Sequence, residues 1–202
     1  MKRITLLTLI FVMTFAMKAQ MKTGDLIFAR EGKGKFSQAI SASTISDEGV
    51  SYVHVGIIIV EPNGDINVLE ASPERGVCLT PLEIFEKDSN GYDVKRLNFN
   101  FPIDKAIESA KSHVGEQYDW WYLPDNGKMY CSELVYESYR DYDGNPIFKA
   151  KPMNFRDSEG NLPEFWVKLY QELGQPVPEG IPGTNPNDMS RDSGLILIRV
   201  GQ

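Results

Sequence analysis

The chain has 202 residues, 42% of them hydrophobic and 11% aromatic, enough for one globular domain with a sizeable core. Its 21 basic residues against 28 acidic ones give a net charge of −7, which excludes the basic stripe that a nucleic-acid backbone requires. Two Cys and two His exclude a disulfide framework and a four-Cys zinc site.

Lys2-Arg3 precede the apolar run Ile4 to Met17, with small residues at Ala16 and Ala19. Charged start, short apolar run and small residues together predict a secretory signal peptide over 1–19 and a single mature domain over 20–202. The run falls short of the roughly 20 apolar residues of a membrane span, so no permanent anchor is expected after cleavage. A buried N-terminal helix is the alternative reading. The expected destination is an export compartment, a bacterial periplasm or the exterior.

In chain order, Asp25 to Ala29 reads as a strand and Phe36 to Ile45 as a short helix with Phe36, Ile40 and Ile45 inward. Ser51 to Val60 holds seven Val, Ile or Tyr residues in ten positions, the pattern of a central strand buried on both faces. Pro62-Asn63-Gly64 turns the chain into a second strand, Asp65 to Ala71. Thr80, Pro81 and Glu83 read as the N-cap, first position and capping-box acid of a helix. Tyr92 to Leu97 is a strand; Ile103 to Val114, Tyr130 to Arg140 and Phe165 to Leu173 are helices. Gln175 to Ser193, with four Pro and two Gly, is too long for an idle loop and predicts a packed wrap or a functional segment. The closing run Gly194 to Val200 returns to the sheet. Strands early and helices late predict an α+β fold, a mostly antiparallel sheet packed against helices.

Three residues carry candidate chemistry: His54 inside the central strand, Glu70 on the next strand and Cys131 at the start of a helix. Taken singly each has a plain structural reading: a satisfied core histidine, a solvated carboxylate, a small buried hydrophobe. A three-residue hairpin loop at 62–64, with Gly64 in the left-handed conformation, would pair Glu61 with Asp65 and place Glu70 opposite Gly56 and Ser72 opposite His54. His54 and Glu70 would then be diagonal neighbours on one face, about 7–8 Å apart at Cα. A two- or four-residue loop would separate them. Cys131 shares a helical face with Leu134, Val135, Ser138 and Tyr139, which turns its thiol toward the sheet. A helix N-terminus and a nearby His⁺ both favour a thiolate, and Cys, His and an orienting carboxylate form an acyl-transfer constellation.

Gly115-Glu-Gln-Tyr118-Asp-Trp120 and Tyr130-Cys131-Ser-Glu-Leu-Val135 resemble motifs of NlpC-like cell-wall peptidases. With His54 before Cys131, and Gly24-Asp25-Leu26-Ile27 at the start, the chain resembles the circularly permuted branch, the YiiX-type papain-like amidases. The resemblance implies a permuted papain-like fold and an exported cysteine hydrolase that cleaves an amide bond of a cell-wall peptide or a small acyl amide. It implies Cys131 as nucleophile, His54 as general base and Glu70 as the third member, with Ser72 the alternative. Tyr118, Tyr130 and Trp120 would line the oxyanion or substrate site. No metal or organic cofactor is called for. A lipid-directed acyltransferase or esterase, for which Trp120, Trp121 and Tyr122 could form an acyl groove, and a non-catalytic binding module remain alternatives. His113 reads as structural, and a Cys78–Cys131 disulfide is the rival to a free catalytic thiol.

The leader makes a direct prediction. N-terminal sequencing of the exported protein should begin near Gln20, and a chain that keeps Met1 after export would refute the signal peptide.

Overall fold

The computed structural model describes residues 21–44 and 49–201. The leader and Ile45 lie outside the described residues. A six-stranded sheet organises the molecule: β1 (Leu26–Arg30), β2 (Tyr52–Val60), β3 (Ile66–Ser72), β4 (Gly76–Pro81), β5 (Tyr92–Leu97) and β8 (Leu195–Gly201). Their spatial order is β4-β3-β2-β1-β5-β8, and every neighbouring pair is antiparallel. Two short strands, β6 (Lys151–Pro152) and β7 (Pro182–Gly183), form a separate ribbon. The helices are α1 (Lys35–Ser43), α2 (Leu82–Asp88), α3 (Ile103–Ser112), α4 (Cys131–Ser138), α5 (Glu164–Leu173) and α6 (Pro186–Ser190). The fold is α+β, as the order of elements predicts.

β2 is apolar in continuous run because both its faces are covered. Val53, Val55, Ile57 and Ile59 enter the larger core, with Leu134, Val135 and Tyr139 of the α4 segment, while Ile58 enters a smaller core with Leu82 and Phe85 of α2. Apolar surface buried on both faces, at about 25 cal/mol per Å², holds this strand in the middle of the structure.

The β2–β3 hairpin has the expected loop. Glu61 N donates to Asp65 O at 2.8 Å, Gly64 N to Glu61 O at 2.9 Å, and Gly64 takes φ +87°. The paired register runs from Val60↔Ile66 to Ile57↔Leu69, the predicted one. It ends there: Ser72 pairs with Gly76 of β4 and its hydroxyl donates to Glu74 at 3.1 Å, while the His54 imidazole meets Glu70.

One helix start differs from expectation. Thr80 belongs to β4, and α2 begins at Leu82 after Pro81 without a side-chain cap. The Thr80 hydroxyl is committed to Glu70 across the sheet, which removes it from the helix end. The Pro-rich stretch wraps the domain: Asn187 in α6 is buried, accepts from Tyr52 N at 2.7 Å and donates to Thr44.

Gly56 is needed for space. A Cβ there would meet Val68 Cγ1 at 2.4 Å and Glu70 Cβ at 3.4 Å. Gly56→Ala should therefore lower stability by about 1–3 kcal/mol through overpacking. Thermal unfolding checks this, and an unchanged Tm would show that the strands part there at no cost.

Candidate active site

His54 lies on β2, just past the paired part of the hairpin, where β2 and β3 are no longer joined by the ladder. Its Nε2 meets Glu70 Oε2 at 2.6 Å, so the diagonal juxtaposition expected from the loop length is present. The other carboxylate oxygen, Oε1, accepts from Thr80 Oγ1 at 2.5 Å and from Arg75 Nη2 at 3.1 Å. The Phe85 ring lies 5.9 Å from the imidazole, centroid to centroid.

Cys131 is the first residue of α4 and is buried, with Leu134, Val135 and Ser138 of the same face also buried. Its thiol is close enough to His54 to favour the charged imidazole, which has Glu70 as its other partner. Nε2 faces Glu70, so Nδ1 is the ring nitrogen not engaged by the carboxylate. The helix starts here for a local reason: Glu133, at the third position, accepts from Tyr130 N at 3.3 Å. Burial pushes the Glu133 carboxyl up to about 8, more than the Tyr130 N–H can offset.

The electrostatics follow from this grouping. Burial disfavours a charged His54, but hydrogen bonds to Cys131 and Glu70 outweigh it and raise its pKa well above the ordinary value. Burial likewise disfavours a charged Glu70, yet His54, Thr80 and Arg75 together hold its carboxyl well below the usual range. An ionised carboxylate beside a protonated imidazole is the state that the arrangement favours. Cys78 and Cys131 are both free thiols, so the disulfide alternative is not what the structure contains. Cys78 is half-buried in β4, where it pairs with Glu70.

A cavity of about 400 Å³ opens beside Cys131. Tyr122, Tyr130, Phe155 and Trp166 form its aromatic wall, and Lys151, Arg156 and Arg191 stand among its polar lining. Tyr130 lines it as expected, and its hydroxyl accepts from Thr184 N at 3.1 Å. Tyr118 is buried, with its hydroxyl 3.1 Å from that of Tyr122; burial raises its pKa, and the nearby Cys131 adds to the effect. Trp120 is placed elsewhere. It packs on Phe36 and Tyr118 at 5.2 and 4.9 Å and, with Trp121, borders a different cavity. The reason is the loop's backbone: buried Asp119 accepts from Trp121 N and Leu123 N, and Tyr122 takes φ +52°, which turns this one aromatic inward. Of the expected Trp120-Trp121-Tyr122 groove, only Tyr122 borders the Cys131 cavity.

Sequence reasoning missed Phe155, Trp166, Thr80 and Arg75. Trp166 had a signal in the helical period of α5, but nothing local ties Phe155 to Cys131. His113, read as structural, is hydrogen-bonded through Nδ1 to Glu116 at 3.0 Å at the end of α3.

Residues 20–199 match the family model of the permuted papain-like amidase enzymes, YaeF/YiiX, C92 family. The chain is 27% identical over 183 residues to the uncharacterized protein YiiX of Escherichia coli K12, covering 88% of this chain and 86% of that protein. It is also similar to a crystal structure described as metalloprotein yiiX from Escherichia coli O157:H7. The TM-score is 0.73 with 25% identity, over 89% of this chain and 97% of that one. Among the described residues here, no group of three or more His, Cys, Asp or Glu side chains is placed to share a metal ion. A family match over nearly the whole chain, joined to this fold, places the protein: the chain belongs to the permuted papain-like amidase family.

Proposed function

We propose that the protein is a cysteine hydrolase that cleaves an amide bond, with Cys131 as nucleophile, His54 as general acid and base, and Glu70 as the group that orients and charges His54. The single observation that carries this reading is the grouping of Cys131, which lines the aromatic cavity, with His54 and its partner Glu70. The Cys131 thiolate attacks the amide carbon and forms a C–S bond. Backbone N–H groups at the start of α4, which have no helical partners, are available to the oxyanion. The His54 imidazolium then gives its proton to the departing nitrogen as the C–N bond breaks. Water, deprotonated by His54, attacks the thioester; the C–S bond breaks and the acid leaves. Tyr130 is proposed to border the acyl group, and Tyr118, which lines the other cavity, to act there only through its hydroxyl contact with Tyr122.

The cavity wall favours one class of acyl group. Tyr122, Phe155 and Trp166 offer apolar surface for an acyl chain in the cavity that Cys131 lines, and Lys151, Arg156 and Arg191 on its polar side would face a polar or anionic end of the same substrate. An acyl amide is therefore the preferred substrate, and an acyl ester or an acyl acceptor other than water is the second reading that the same wall supports. We further propose that residues 1–19 direct export and that the mature domain works in that compartment.

Cys131→Ala and His54→Ala should each reduce turnover by about a thousandfold or more, with no additional loss in the double variant. Glu70→Gln should retain more activity than either. Glu70 favours the charged imidazole, so its loss should let His54 give up its proton at lower pH and draw in the alkaline side of the pH–rate profile. Hydrolysis of an N-acyl amide and of a peptidoglycan peptide fragment, followed across pH, measures both points. Full activity in His54→Ala would end the mechanism. Alkylation of Cys131 by iodoacetamide no faster than that of Cys78 would favour a binding module.

A further inference from the structure

Glu70 sits in the middle of a row that crosses three strands. On one side is His54 of β2; on the other is Thr80 of β4, its diagonal neighbour, because Glu70 pairs with Cys78 and Val68 with Thr80. We propose that Thr80 and Arg75 are positioning residues for the reaction: together they clamp Oε1 of Glu70, so that Oε2 is held on His54 Nε2. The inference rests on the reading of Glu70 as the partner of a catalytic His54.

The direction of each hydrogen bond is fixed by chemistry. Arg75 has only donors, and its Nη2 lies 3.1 Å from Glu70 Oε1 and 3.2 Å from Thr80 Oγ1. The Thr80 oxygen therefore accepts from Arg75, and its single hydroxyl proton goes to Glu70. Among the described residues, Thr80 and Arg75 are the donors that reach Oε1. The charged and titratable groups around the row are His54 on β2, Cys131 on α4, Cys78 on β4, with its sulfur 3.6 Å from Thr80 Oγ1, and Asp88 on α2, 3.9 Å from Arg75. The Phe85 ring of α2 closes the His54 side.

A glutamate has three side-chain torsions, so one hydrogen bond to His54 does not fix its carboxylate. With Oε1 clamped, rotation about the last torsion would break two hydrogen bonds at once, both charge-assisted. Thr80 and Arg75 thus act on the reaction only through Glu70. Arg75 is about half-exposed, while Thr80 is buried, so Thr80 carries the greater share.

The test reads the His54–Glu70 hydrogen bond directly. In protein labelled with ¹⁵N-histidine, wild type should show a downfield proton resonance for His54 Nε2–H, assigned by its absence in Glu70→Gln. Thr80→Val keeps the shape but removes the donor, and should lose that resonance to exchange. It should also slow Cys131 alkylation by iodoacetamide about tenfold, the scale of one charge-assisted hydrogen bond. Thr80→Ser restores the hydroxyl and should restore both readouts. Arg75→Met should shift the resonance upfield without loss of fold. If Thr80→Val keeps the wild-type resonance and reactivity, the proposal is overturned while the Cys131–His54–Glu70 reading stands. If wild type lacks the resonance and Glu70→Gln reacts like wild type, that reading fails, and the proposal with it. Should Thr80→Val fail to fold, Arg75→Met decides, because a wild-type resonance there also overturns the clamp.

Discussion

The separation of His54 from Glu70 is set by a three-residue loop far from either of them. Because side chains alternate along a strand, adding or removing one loop residue would turn Glu70 to the opposite face of β3. Gly64, with its positive φ, allows the short loop, and Gly56 leaves a space that the Glu70 stem and Val68 fill. The ladder then stops at Ile57↔Leu69, and His54 meets Glu70 just beyond it, where β2 also packs on the helix bearing Cys131. Everything chemical about the site depends on this: the charge on His54, the ionisation of Glu70 and the partner of the thiol.

Such a row is costly to bury. A carboxylate, an imidazole and a thiol taken out of water lose solvation that only good geometry returns. The structure meets that demand with donors of differing origin. Thr80 comes from the strand beyond β3, Arg75 from the turn between β3 and β4, and His54 from the strand before. The exposed guanidinium supplies charge at the rim of the row, where its own desolvation is small, and the buried hydroxyl supplies direction. A charged partner deeper in the sheet would have required a second compensating charge.

Much of this was legible in the sequence, for identifiable reasons. Alternation and apolar runs revealed β2, β3 and β5, because those strands are buried in the manner that such patterns encode. The His54–Glu70 contact follows from strand parity because a hairpin is a local object. Thr80 was misread because Thr-Pro-x-Glu satisfies a helix cap as well as a strand end, and only the distant Glu70 decides between them. The aromatic wall was not legible: Phe155 and Trp166 reach Tyr122 from segments far along the chain, at 5.8 and 5.7 Å, and no periodicity links them. Trp120 was misplaced for a related reason. Three aromatics in succession look alike, and it is the left-handed backbone at Tyr122, held by Asp119, that selects which one turns in.

The order of the chain, histidine before cysteine, has a simple physical meaning in this light. The site needs a hairpin that brings a carboxylate to an imidazole, and a helix whose first residue meets that imidazole from the side. Neither requirement refers to which element is made first. It does matter that α4 is short and well anchored, since a thiol at a helix start moves with the helix. Tyr139, just past the helix end, is fully buried and donates to Gly24 O at 2.9 Å, tying that end to the chain before β1. At the other end, Tyr130 accepts from Thr184 N, which draws the Pro-rich wrap over the cavity. The wrap is itself pinned by Asn187 on β2's first residue, two positions from His54. Nucleophile, base and cavity wall are thereby referenced to one strand, so the closing segment is a structural part of the site even though it contributes no reacting group.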